Sequence, residues 1–170
     1  MLANRESHST PGHQYYPEMT PHGTRCVRDL MASCPVTVAP QTAVTEARAI
    51  MQQRHIRHLP VLENARLVGL ISDRDIRLVL PSPATSLSVW ELHYLLAKLT
   101  VREVMTRFVV SIAPTCPLPE AVDLMLRHKI GALPVLEQRR LTGILTRTDI
   151  LRAFCRVHNE IVLLAEMSWA

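Results

Sequence analysis

Two stretches of this chain, 74 residues apart, spell nearly the same sequence. Laid over each other without a gap, residues 27–80 fall on 101–154, and 20 of the 54 pairs are identical. Met31 falls on Met105, Pro40 on Pro114, and Glu46-Ala47 on Glu120-Ala121. The run Leu59-Pro60-Val61-Leu62-Glu63 returns as Leu133-Pro134-Val135-Leu136-Glu137, while Gly69 and Asp75-Ile76 return as Gly143 and Asp149-Ile150. An ungapped duplication of this length restricts the chain to one folding motif used twice. A unit this small is marginal alone, so the two copies are expected to pair about a pseudo-twofold axis and bury a common core.

Each copy parses alike. Val36-Thr37-Val38, and Val109 to Ile112 in the second copy, read as a short strand ended by Ala-Pro. Val44, Ala47, Ile50 and Met51 then fall at helical spacing, as do Leu118, Ala121, Val122 and Met125. Glu46 and Glu120 sit in the first turn, where they favour the helix dipole, and Pro117 fits the first turn as well. Leu59 to Leu62 is a strand with Pro60 near its start, which suits an edge or entry position. A polar turn, Asn64-Ala65 or Gln138-Arg139, leads to a second strand, Leu67 to Ile71 or Leu141 to Leu145. The last helix follows Ser72 or Thr146. The fold class is α+β, with two β-α-β-β-α units.

The remaining segments frame this pair. Residues 1–24 are polar and rich in His, Pro, Ser and Thr, and read as a flexible tail; the irregular spacing of His8, His13 and His22 does not specify a metal site. The first repeat spans 25–80, a linker 81–100, the second repeat 101–157 and a helical extension 158–170. In the linker Pro81-Ser82-Pro83 breaks the preceding helix. Ser88-Val89-Trp90-Glu91 is a capping box, and Leu92, Leu95, Leu96 and Leu99 continue an apolar stripe. Four cysteines, Cys26, Cys34, Cys116 and Cys155, lack metal or disulfide spacing and read as reduced, mostly buried thiols. No stretch approaches the roughly 18 apolar residues of a membrane span, so a soluble, cytoplasmic protein is expected. The formal charge of +4 suits small anionic ligands, and with 4% aromatic residues an RNA-stacking surface is not expected.

Chemistry concentrates in the duplicated strand-to-helix junction. Gly69-Leu70-Ile71-Ser72-Asp73-Arg74-Asp75 and Gly143-Ile144-Leu145-Thr146-Arg147-Thr148-Asp149 each end an apolar strand in a hydroxyl, with a carboxylate three residues on. Glycine opens each strand where a side chain would be in the way. The hydroxyl and the carboxylate can face the pocket at the strand's end, where the free N–H groups of the helix also point. A carboxylate can accept from both hydroxyls of a ribose diol while phosphate sits at the helix start. The site is nucleotide-shaped and occurs twice. The same residues also satisfy a plain helix cap, which the spacing alone does not distinguish.

Val27-Arg28-Asp29-Leu30-Met31, the Leu-Pro-Val-Leu strands and the tandem Gly-aliphatic-aliphatic-(Ser/Thr)-x-x-Asp motif resemble the CBS domain pair, or Bateman module, over residues 25–157. The insert from Leu80 to Ser86 with Glu91 to Leu96 is similar to bacterial stand-alone CBS proteins of the acetoin-utilisation type. The resemblance implies a regulatory module, often a disc-shaped homodimer, that binds AMP, ADP, ATP or S-adenosylmethionine between its repeats and controls a partner protein. It implies ribose contacts from Ser72 with Asp75 and from Thr146 with Asp149. It implies adenine walls from Val36, Thr37, His58, Leu59 and Pro60, and from Val110, Ser111, Ala132, Leu133 and Pro134. The first copy carries His55, Arg57, His58 and Arg74 near its cleft. The second has Lys129, Gly131, Ala132 and Thr148 there, plus Arg147. The basic groups His55, Arg57, Arg74, Lys129 and Arg147 favour phosphate charge, and two unequal sites are expected.

Catalysis is not expected. The chain has five glycines and no P-loop, GxGxxG or GxSxG pattern, and no resident cofactor or metal is implied. The competing class is a ligand-free dimerisation scaffold, associated with DNA through the basic tail and the Trp90 helix; nucleic acid is otherwise not an expected partner.

Overall fold

The computed structural model describes residues 25–79 and 98–156. The expected tail, the Trp90 helix and the C-terminal extension lie outside them. In the first repeat helix α1 (Val44–Gln53) leads into a hairpin of β2 (His58–Glu63) and β3 (Arg66–Ser72), then helix α2 (Asp73–Val79). A short 3-10 turn (Val27–Asp29) and β1 (Ala32–Ser33) precede it. The second repeat has the short helix α3 (Val101–Val104), helix α4 (Leu118–Arg127), strands β4 (Ala132–Glu137) and β5 (Arg140–Thr146), and helix α5 over 147–156.

The duplication in sequence returns in the register of the two hairpins. His58 pairs with Ser72 and Ala132 with Thr146, and each hairpin slips register at the same place, Val61/Leu62 and Val135/Leu136. Both turns hold two residues at positive φ: Asn64 and Ala65 at 50° and 61°, Gln138 and Arg139 at 49° and 64°. That is the backbone a two-residue hairpin demands to match strand twist. Val44, Ala47 and Met51 are buried on α1, and Ala121 and Met125 on α4, as the helical spacing requires. Val122 departs from the stripe and lines a hollow between α4 and α5.

Three expectations need correction. Val36-Thr37-Val38 and Val109 to Ile112 are not strands; only Val38 and Ile112 pair, each as a single parallel bridge to β2 or β4. Val38 N–H donates to Pro60 O (3.1 Å) and Val38 O accepts from Leu62 N–H (2.9 Å). The turn at Pro40, or Pro114, follows at once and leaves no length for a ladder. Pro117 is the residue before α4 rather than within its first turn. The cysteines are not mostly buried: Cys34 and Cys155 are exposed, Cys26 and Cys116 half-buried.

The lead segments cross over. Val27 N–H donates to Cys116 O and Arg28 N–H to Pro114 O, both at 2.9 Å. Seventy-four residues on, Val101 N–H donates to Thr42 O and Arg102 N–H to Pro40 O, also at 2.9 Å. β1 pairs antiparallel with β5, and Thr106 bridges Leu70 at the equivalent position of the other repeat. Val27 therefore sits in the core of the second repeat and Val101 in that of the first. The repeated spacing of Gly and Met follows from this crossing. A Cβ on Gly143 would lie 2.5 Å from Met31 Sδ, and one on Gly69 would collide with Met105 Sδ. The side chain that excludes a Cβ belongs to the other repeat.

Candidate functional site

Both Ser/Thr–Asp pairs are reciprocal helix caps. Ser72 N–H and Oγ–H donate to Asp75 Oδ2 at 2.9 and 2.7 Å, and Asp75 N–H donates to Ser72 Oγ at 3.3 Å. Thr146 and Asp149 repeat this at 2.9, 2.6 and 3.4 Å. The capping role is thus structural in each copy. It occupies one carboxylate oxygen only. Oδ1 of each aspartate accepts no hydrogen bond from the described residues, and neither aspartate is buried. An ionised carboxylate with a free oxygen beside a helix start can still accept from a ligand hydroxyl.

The two pairs differ in their surroundings. Ser72 and Asp75 open onto a cavity of about 380 Å³ between the repeats. The first repeat also gives it Arg57, His58 and Arg74. The second closes it with Val110, Gly131 and Ala132 as the small apolar wall, and with Lys129 and Arg147. Phe108, 97% exposed, stands at its edge. The volume falls in the range of small-molecule sites.

Arg147 and His58 meet at Gly131. A Cβ there would come within 3.1 Å of an Arg147 guanidinium nitrogen and 3.4 Å of His58 Nε2. The first repeat carries Arg57 at the matching position, so the missing side chain makes the room. Burial, the largest effect, holds His58 below the ordinary 6.5; Asp75 opposes it, Arg147 and Arg57 add to it, and Asp73 opposes weakly. His58 is therefore a neutral imidazole at pH 7, beside a guanidinium. The Arg77–Asp73 pair (2.7 Å) on α2 adds one internally balanced charge pair to the lining.

The cavity brings together Ser72, Asp75, His58, Arg57, Arg74, Val110, Ala132, Lys129 and Arg147. It is not lined by His55, Val36, Thr37, Ser111, Thr146 or Asp149. Leu59, Pro60, Leu133 and Pro134 are buried in the two cores and present no side-chain surface to it. His58 and Ala132 head their strands at the interface, while the three residues after each are all buried. Sequence reasoning missed Phe108, Val109 and Arg77 as lining residues. Arg77 was legible as the i+4 partner of Asp73 on a helix; Phe108 carried no periodic signal. Among the described residues no three metal-ligating side chains cluster, and no helix is long and apolar enough to cross a membrane.

The CBS domain family model matches residues 27–82 and 101–156. The chain is 32% identical over 134 residues to the CBS domain-containing protein YhcV of Bacillus subtilis, covering 79% of this chain and 87% of that one. It spans only 13% of an A-adding tRNA nucleotidyltransferase from Geobacter sulfurreducens, at 31% identity. The CBS domain pair of protein MJ0100, solved with 5′-methylthioadenosine and S-adenosyl-L-methionine, superposes with a TM-score of 0.64 at 28% identity, covering 78% of this chain and 97% of that one. CBSX2 in complex with AMP gives 0.65 at 29% identity, covering 78% and 98%. A Vibrio cholerae structure described as a candidate acetoin utilization protein (AcuB) gives 0.63 at 30% identity, covering 85% and 97%.

Proposed function

We propose that this chain, which belongs to the CBS domain family, senses an adenosine-containing ligand in the cavity between its repeats and so controls a partner protein. The observation that carries this is the junction itself. A carboxylate with one free oxygen, from the first repeat, faces a small apolar wall and two cations from the second. Asp75 holds the ribose diol beside Ser72, the base packs against Val110 and Ala132, and phosphate lies among the arginines and Lys129. The ligands solved in similar pairs, AMP in one and S-adenosyl-L-methionine with 5′-methylthioadenosine in another, support the choice of adenosine. Thr146 and Asp149, with Val36 and Thr37, serve a second, weaker cleft. The protein works without catalysis, as a cytoplasmic homodimer, by a ligand that prefers one arrangement of the repeats.

Calorimetric titration of AMP, ATP and S-adenosylmethionine tests this. Asp75→Ala should weaken binding by about 1.5–3 kcal/mol, the range for hydrogen bonds to a charged group. That is roughly 10-fold to 150-fold in Kd. Asp149→Ala removes the same cap outside this cavity, and should spare the tighter binding event while weakening the second. Equal affinity in wild type and Asp75→Ala would remove the ribose assignment.

A further inference from the structure

We infer that the cavity selects its ligand by phosphate number and is built for a nucleoside di- or triphosphate rather than a monophosphate. This rests on the nucleotide reading above and adds the charge of the ligand to it. Four cations, Arg57, Arg74, Lys129 and Arg147, line the cavity, and none has an ion-pair partner among the described residues. A fifth, Arg77, is held by Asp73 at 2.7 Å, which cancels both. Against the four stands one carboxylate, Asp75, so the lining carries an excess of about three positive charges. A single phosphate brings about −1.5 to −2 near neutral pH and leaves part of that excess unmatched. A chain of two or three phosphates matches it.

The repeat supplies an internal control. Residues that the fold needs are kept in both copies, as with Gly69 and Gly143 or Leu59 and Leu133. The cations are not. Seventy-four residues away, Arg57, Arg74 and Arg147 correspond to Gly131, Thr148 and Asp73, and Lys129 corresponds to His55. The charge belongs to this cleft and not to the scaffold. Two cations come from each repeat, so a phosphate chain that engages them joins the halves. Charge-assisted contacts of this kind are among the strong ones, and arginine supplies them in forked pairs.

The test is calorimetry on the full chain, without divalent metal, titrating adenosine, AMP, ADP, ATP and inorganic tripolyphosphate at low and high salt. Affinity should rise with each phosphate, with ATP at least 10-fold tighter than AMP and the ratio shrinking as salt rises. Arg147→Gln and, on the other repeat, Arg57→Gln should each reduce the ATP-to-AMP affinity ratio several-fold. AMP binding as tightly as ATP would overturn the inference and leave the nucleotide reading intact. Tripolyphosphate binding as tightly as ATP would overturn the nucleotide reading and the nucleoside part of the inference with it, leaving only selection by phosphate number. Failure of every compound to bind overturns both.

Discussion

His58 carries the cavity's electrostatics into the stability of the fold. Its folded-state pKa lies below 6.5, chiefly because it is buried and partly because Arg147 and Arg57 face it, against the pull of Asp75 and Asp73. The unfolded chain therefore takes up the proton first as pH falls. Stability is full above 6.5 and declines below it, until the folded imidazole also titrates. Urea midpoints at pH 7.5 and 5.5 should differ more for wild type than for His58→Gln; identical differences would refute the assignment. Gly143 makes a second residue-scale prediction. An alanine there meets Met31 Sδ at 2.5 Å and the Ala32 carbonyl at 3.1 Å, and the carbonyl is backbone that cannot swing aside. Gly143→Ala should cost about 1–3 kcal/mol, the range for overpacking. Adding Met31→Ala should recover part of it in a double-mutant cycle, and strict additivity would deny the contact.

At the scale of the element, helices α1 and α4 end alike. Ile56 N–H donates to Met51 O and Ile130 N–H to Met125 O, while His55 and Lys129 occupy the left-handed position at φ 53° and 54°. Glycine is the usual residue there, because a Cβ costs roughly 1–2 kcal/mol in that conformation. His55→Gly and Lys129→Gly should each raise the urea midpoint by about 1 kcal/mol in stability. Only Lys129→Gly should also weaken ATP, since Lys129 lines the cavity and His55 does not. Equal effects of the two on ATP would deny Lys129 its place in the site. These helix ends were only half legible. The apolar stripes of α1 and α4 set where the helices run, but no glycine marks where they stop. The hairpins were legible almost to the residue, since two short apolar runs around a two-residue polar turn specify register locally. The strand expected at Val36 to Val38 failed because β-propensity is a property of packing, and the proline two residues on leaves nothing for a ladder to extend along.

At the scale of the molecule, the crossing of the lead segments decides what can fold. Val101, with Leu99, Val104 and Met105, completes the core around Leu59, Ile71 and Ile76; Val27, with Leu30 and Met31, completes the one around Leu133 and Leu145. Full burial of one valine is worth about 1.5–3 kcal/mol, a large fraction of the stability of so small a unit. A fragment of residues 35–106 keeps the first core whole and should melt cooperatively. A fragment of 25–80 loses Val101 and its neighbours and should not. Circular dichroism melts distinguish them, and cooperative melting of 25–80 would show that the crossing is dispensable.

Residue order alone determined the duplication, the hairpins, the glycines that must stay bare and the acid–hydroxyl pairs that start two helices. Each of these is written in spacings of two to four residues, or in a period that can be counted. Only the folded chain decided that Ser72 and Asp75 share a cavity with Ala132, Lys129 and Arg147, while Thr146 and Asp149 lie outside it. Those partners are joined by the packing of one repeat against the other, and a contact between two surfaces leaves no period along the chain from which to read it.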